Sequence, residues 1–207
     1  MQIMTKAAVA LIGAVCLLMI GCSGPSSSQP AAKQAVAPQP VTGQSGLYKM
    51  FQLARTWALD AQVLKLDSIH LTQVPEVPDK AAAWEAIFVS PGRATAKSFT
   101  WSAVDVEPDL HKGAFAGTEE PYSGPHGTSP FLIAAVKIDT DAALATAKNK
   151  AVEYEKKNPG MPITYVLEKT DRFPNPAWRV IWGESAGVSS FSVYIDASTG
   201  AYLETMH

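Results

Sequence analysis

The residue best placed to undergo chemistry is Cys22, which follows Met19-Ile20-Gly21 and closes an apolar run that opens after Lys6. A short positive start, an apolar stretch from Ala7 to Ile20 and a small residue ahead of the cut have the layout of a secretory signal. Cleavage between Gly21 and Cys22 leaves a thiol for diacylglycerol and a free α-amino group for a further acyl chain. Several chains together anchor stably where one binds only marginally. The alternatives are an ordinary signal with a coincidental Cys, or a membrane span. The run is short for a span, which needs roughly 20 apolar residues, and Ser23 to Gly46 has too little charge for a stop-transfer flank. The residue three places before the Cys is Met19 where Leu is usual, with Leu18 one place further back.

The remaining reactive side chains are dispersed. His70, His111, His126 and His207 include no pair spaced i, i+4 on a helix. Once Cys16 leaves with the signal and Cys22 is acylated, the folded part has no thiol, so a metal would have to rest on His and carboxylates. His111, Glu119, Glu120 and His126 share one long loop, where solvated side chains are the default, and no metal or cofactor is expected. Asp105, Glu107 and Asp109 alternate at a strand end without the spacing or glycine of an EF-hand, and read as an exposed acidic edge. Ser90, Ser123 and Ser185 lie near glycines, but none is in a Gly-x-Ser-x-Gly elbow. Ser123 is close to His126 in sequence, which is not triad geometry. No catalytic residues are expected. A hydrolase site in the loop Glu107 to Pro130 stands as one alternative.

With 17 Lys and Arg against 19 Asp and Glu, and no basic runs, the chain lacks the phosphate-facing clusters of a nucleic-acid binder. Its 207 residues, 47% of them hydrophobic, suffice for one domain or two small ones. Ser23 to Gly46 is rich in Ser, Gln, Pro, Ala and Gly, has no aromatic residue, and reads as a flexible tether.

Beyond the tether, Leu47, Phe51, Ala54, Trp57, Ala58, Ala61 and Leu64 recur at helical spacing and predict a helix over about Gly46 to Lys65. Strands are predicted at Ser68–Val74, Ala82–Ser90 and Thr95–Val104, then the long loop, then a strand at Phe131–Ile138. Asp139-Thr140 caps a helix over Asp141–Lys157 that Asn158-Pro159-Gly160 ends. Ile163–Lys169, Ala177–Gly183, Ser189–Ala197 and Ala201–Met206 follow as strands.

The pattern repeats. Ile69 with Ile163 and Trp84 with Trp178 share an offset, since 163 − 69 = 94 and 178 − 84 = 94. The C-terminal half, about Lys137 to Leu203, resembles the PepSY and PepSY-like family. The resemblance is carried by the helix ending in Asn158-Pro159-Gly160, by Trp178-Arg179-Val180, and above all by Val193-Tyr194-Ile195-Asp196-Ala197-Ser198-Thr199-Gly200. It implies a small extracytoplasmic module, cystatin-like in outline, with a proposed role in binding or restraining proteins, and no catalytic residues. The N-terminal half lacks the closing turn.

The expected organisation is a signal peptide (1–21), an acylated Cys and tether (22–46), an α+β unit with a long loop (47–129) and a PepSY-like α+β unit (130–207), the two units being tandem helix-plus-antiparallel-meander modules. Trp84, Phe88, Trp178 and Trp182 share a face of corresponding strands. They either pack beneath the helices or line a groove between the units for a partner or an apolar ligand. The leading expectation is a lipid-anchored, non-enzymatic module that binds an envelope protein, at the outer membrane facing the periplasm in a two-membrane cell. A carrier of a hydrophobic molecule is the other alternative.

Overall fold

The structure, a computed structural model, describes residues 38–207. The signal peptide, Cys22 and most of the expected tether lie outside the described residues. The elements run α1 (Gly43–Trp57), β1 (Gln62–Ile69), β2 (Ala83–Ser90), β3 (Thr95–Ser102) and β4 (Gly113–Pro121), then a single 3₁₀ turn (Ile133–Ala135). After it come α2 (Thr140–Lys157), β5 (Ile163–Glu168), β6 (Ala177–Trp182), β7 (Ser192–Asp196) and β8 (Tyr202–Met206).

All eight strands form one antiparallel sheet in the order β4-β3-β2-β1-β5-β6-β7-β8. This corrects the expectation of two tandem modules. Each half does supply a helix followed by four strands, but β1 pairs with β5 through Lys65–Glu168, Leu66–Leu167 and Asp67–Val166, so neither half keeps a sheet of its own. The physical reason is edge satisfaction: β1 and β5 would each expose unpaired backbone groups, and pairing them leaves only β4 and β8 as edges. The core is likewise one continuous cluster, running from Leu47 and Phe88 through Leu66 and Leu167 to Trp178 and Ile195.

Both helices lie on the same face of that sheet, α1 over β1 to β4 and α2 over β6 to β8. Their buried positions have identical spacing. Gly43, Gly46, Leu47, Met50 and Ala54 in α1 match Thr140, Ala143, Leu144, Ala147 and Ala151 in α2 at a displacement of 140 − 43 = 97. Trp84 and Trp178 correspond as the second residues of β2 and β6. Ile69 and Ile163 do not, since one ends β1 and the other begins β5.

Several expected boundaries move. The helix begins at Gly43, inside the stretch read as tether, and ends at Trp57. Ala58 turns to extended backbone, and Asp60 then accepts from the Ser90 hydroxyl at 2.6 Å and the Gly92 N–H at 2.7 Å. The helical spacing of Ala61 and Leu64 is thus fortuitous: they lie just before and just after the start of a strand in which Val63 and Leu66 point inward. The residues expected as the strand Ser68–Val74 fall mostly in a connection, His70–Ala82. The long loop holds β4, an edge strand exposed over most of its length, which therefore lacks apolar alternation. Phe131–Ile138 makes only a single bridge, Phe131 to Val63, before its 3₁₀ turn.

The two helix starts are knotted together. Thr42, the N-cap of α1, makes no side-chain cap bond. Instead Asp139 Oδ1 accepts from Gln44 N at 2.8 Å as well as from Thr140 N at 2.7 Å, and Thr140 Oγ1 accepts from Gly43 N at 3.1 Å. Gln44 Nε2 donates to Val136 O at 2.7 Å. Beneath the knot, the Trp84 indole donates to Val41 O at 3.1 Å and the Trp178 indole to Ile138 O at 2.8 Å, each holding the residue just ahead of a helix. The helix sits so close that a Cβ on Gly43 would lie 2.5 Å from Trp178 Cη2, and one on Gly46 2.6 Å from Trp84 Cδ1.

Asp139→Ala removes an acceptor from both helix starts at once and is expected to cost about 2 kcal/mol, with Asp139→Asn costing less, as read from urea unfolding midpoints. Gly46→Ala gains roughly 1 kcal/mol of helix propensity in principle, yet is expected to lower the midpoint because the indole has no room to withdraw. An unchanged or raised midpoint would sink that reading.

Candidate functional site

Among the described residues, no helix covers the face of the sheet opposite α1 and α2. One row of side chains crosses it through every strand: Phe115, Thr100, Glu85, Asp67, Val166, Arg179, Tyr194 and Glu204, each directly paired with the next. The period of two that buries Trp84 and Ala86 against the helices puts Glu85 and Ile87 on this side. Phe115 and Glu85 are exposed, and Thr100, Asp67 and Arg179 are half-buried.

The row divides in character. On the β1–β2 side, Asp67 and Glu85 are opposite one another, and Lys65 pairs with Asp67 at 2.8 Å. On the β6–β8 side the chemistry is aromatic and cationic. The Arg172 guanidinium lies 5.4 Å from the Phe173 ring and 5.2 Å from the Tyr194 ring, and pairs with Glu204. Arg179 lies 5.7 Å from the same Tyr194 ring and donates from Nε to Ser192 Oγ at 3.0 Å. Burial pushes the Tyr194 phenol above its ordinary value. Two guanidiniums on one tyrosine make a rigid, partly desolvated platform.

The four aromatic residues singled out in the sequence are on the other side. Trp84, Phe88 and Trp178 are 0% exposed and Trp182 is 1% exposed, all in the helix-covered core. Trp182 donates to Glu155 Oε1 at 3.0 Å, and Phe88 meets Phe51 and Phe99 at 5.9 and 5.5 Å between ring centroids. They pack beneath the helices and line no open groove.

The loop candidates separate as well. Glu119 faces α1 and β3, accepting from Thr95 Oγ1 at 2.8 Å and Trp57 Nε1 at 2.9 Å, with Arg93 at 3.6 Å. His111 meets Phe115 with 5.1 Å between centroids and the rings tilted at 53°. Among the described residues no three His, Asp or Glu side chains converge on one point. Ser123 Oγ and His126 Nε2 are 2.9 Å apart in an exposed turn, but among the described residues no carboxylate orients the other ring nitrogen.

A second constellation was not legible in the sequence. At the end of β1, His70 Nδ1 lies 3.1 Å from Glu76 Oε1 and Nε2 lies 2.7 Å from Thr164 Oγ1. The order carboxylate, imidazole, hydroxyl is that of a nucleophilic triad. The hydroxyl is not free to attack: Thr164 is only 5% exposed and donates to Gly183 O at 2.6 Å. His70 instead borders two adjoining clefts of about 270 and 780 Å³, walled by Ile69, Leu71, Val74 and Pro75. The sole sequence signal was a His within the predicted strand Ser68–Val74, ahead of the Pro75 to Pro78 turn.

No family model matches the chain, and no curated protein matches it. Among solved structures it is similar to one described as a "putative lipoprotein" from Clostridium difficile 630, at 10% identity and a TM-score of 0.47, covering 77% of this chain and 91% of that one. That likeness is too loose to define a shared fold.

Three carboxyls sit below their ordinary values. The Ser90 hydroxyl and Gly92 N–H hold Asp60 down, and the Thr95 hydroxyl does so for Glu119. For Asp196 burial pulls upward, but Asn175 and the N–H groups of Ser198 and Thr199 outweigh it. Their stabilisation is present above the unfolded carboxylate range near pH 4 and is lost as pH falls through the lower folded values. Unfolding midpoints are therefore expected to drop below about pH 4, and less steeply in Asp60→Asn. Equal pH slopes in variant and parent would exclude Asp60 from the effect.

Proposed function

We propose that this chain is a lipid-anchored lipoprotein of the bacterial envelope whose folded domain is a non-enzymatic docking module for another envelope protein. The observation that carries the reading is the helix-free sheet face, with Arg172, Arg179 and Tyr194 held as a rigid platform at one end and open charged residues at its centre. Arginine is a residue type that anchors protein interfaces, and the Arg172 and Arg179 side chains lose little freedom on binding because they already rest on the buried Tyr194 ring. The anchor rests on the Met19-Ile20-Gly21-Cys22 sequence, with Ser23 after the Cys favouring the outer membrane of a two-membrane cell. The resemblance of Val193–Gly200 to the closing strand and turn of the PepSY family supports the same reading, since that family's proposed role is to bind or restrain proteins. The local physics of that octet is in place: Asp196 accepts from Ser198 N and Thr199 N, and Gly200 takes a φ of +79°.

The test is photo-crosslinking in cells with the lipidated chain, placing the probe at Thr100 or Glu85 on the open face and at Val152 on the outside of α2. A discrete protein adduct from the first two positions and none from Val152 is expected. Replacing Arg172 and Arg179 together by Ala is expected to cut adduct yield at least tenfold, about 1.4 kcal/mol of binding, while the melting temperature moves by only a few degrees. Equal adducts from both faces would remove the docking reading.

A further inference from the structure

The connection His70–Ala82 is fastened at its two ends by different chemistry. At the far end the ties do not titrate near neutrality: the Tyr165 hydroxyl donates to Pro78 O, Thr140 Oγ1 donates to Asp79 O at 2.6 Å, and Ala81 exchanges backbone bonds with Val41 at 3.0 and 3.1 Å. Burial pushes the Tyr165 phenol upward, so it keeps its proton. At the near end the side-chain tie is His70, held between Glu76 on the connection and Thr164 on β5.

Counting protons at that tie gives an asymmetry. The single Thr164 hydroxyl hydrogen is directed at Gly183 O, so Thr164 offers His70 only lone pairs. The Glu76 carboxylate also only accepts. Both ring nitrogens therefore face acceptors, and both bonds are satisfied together only when both nitrogens carry hydrogen. A neutral ring has one N–H. It must leave a lone pair against Glu76, leave one against Thr164, or draw the Thr164 hydrogen away from Gly183.

We propose that His70 is a protonation-dependent latch: as imidazolium it ties Glu76 to β5 and holds residues 71–77 down over the clefts, and as a neutral ring it releases them. The segment released is the one that walls both clefts with Leu71, Val74 and Pro75, and it lies between the titratable tie and the permanent ones. The charged groups that line the clefts beside the ring are Glu76 and Lys80 from the connection and Glu184 from the β6–β7 turn. β5 and the residues Gly160 to Pro162 add no charge there. Releasing the segment thus removes a wall of the clefts at the sheet's end without disturbing the helix start to which Asp79 is bound.

The experiment is hydrogen exchange on the full lipidated chain in detergent micelles, corrected for the intrinsic pH dependence of amide exchange, at about pH 5.5 and about pH 8. Protection of residues 71–77 is expected to be roughly three- to tenfold greater at the lower pH, between the effect of an exposed ion pair and that of a charge-assisted hydrogen bond. Residues 78–82 are expected to show no difference. Glu76→Gln and His70→Gln are each expected to abolish the difference in 71–77. Glu76 is 64% exposed, so its variant keeps the test valid if replacing His70 impairs folding. Equal protection of 71–77 at both pH values, or a difference that survives in Glu76→Gln, would overturn the latch.

Discussion

A single carboxylate, Asp139, supports the starts of two helices. Because α1 has no cap of its own, its orphan N–H groups are satisfied by Asp139 and Thr140, residues that belong to the other half of the chain. Everything above and below depends on this junction. The indoles of Trp84 and Trp178 reach up to the carbonyls just before each helix, and Gly43 and Gly46 let α1 descend onto those indoles. The helix-covered core exists in its observed form only when both halves are present, which is why the chain does not divide into independent modules.

Much of this was legible in the sequence where local rules and tertiary needs agree. Asp139-Thr140 announced α2, Asn158-Pro159-Gly160 ended it, and the alternation around Trp84 and Trp178 marked β2 and β6 correctly to within a residue. The failures share one cause. β4 is exposed over most of its length, so no apolar period reports it, and the end of α1 is hidden because Ala61 and Leu64 happen to continue its spacing into a strand. The joining of the halves through β1 and β5 leaves no trace in either strand's own pattern, since backbone pairing is indifferent to which strand supplies it.

The site was less legible than the fold. The aromatic residues that drew attention are the ones a core claims first, whereas the face proposed to act is polar and is assembled only by register: Phe115 and Glu204 are at opposite ends of one row yet belong to strands far apart in sequence. The platform at Tyr194 needs Arg172 from a turn and Arg179 from β6. Likewise His70 acquires meaning only from Thr164, which the β1–β5 pairing brings beside it.

The position of β1 and β5 at the middle of the sheet also governs the order in which the fold can assemble. A sheet grown outward along the chain would complete each strand against the one just made. Here the first strand formed must wait, with one edge bare, until a partner about a hundred residues later arrives, as the Lys65–Glu168 pair requires. Such closure is slow, because the chain entropy of the loop is spent before the contact forms. During that interval the N-terminal half presents β1 as an adhesive border. A chain built this way favours collapse only once its whole length is available, and it disfavours folding from one end as it emerges.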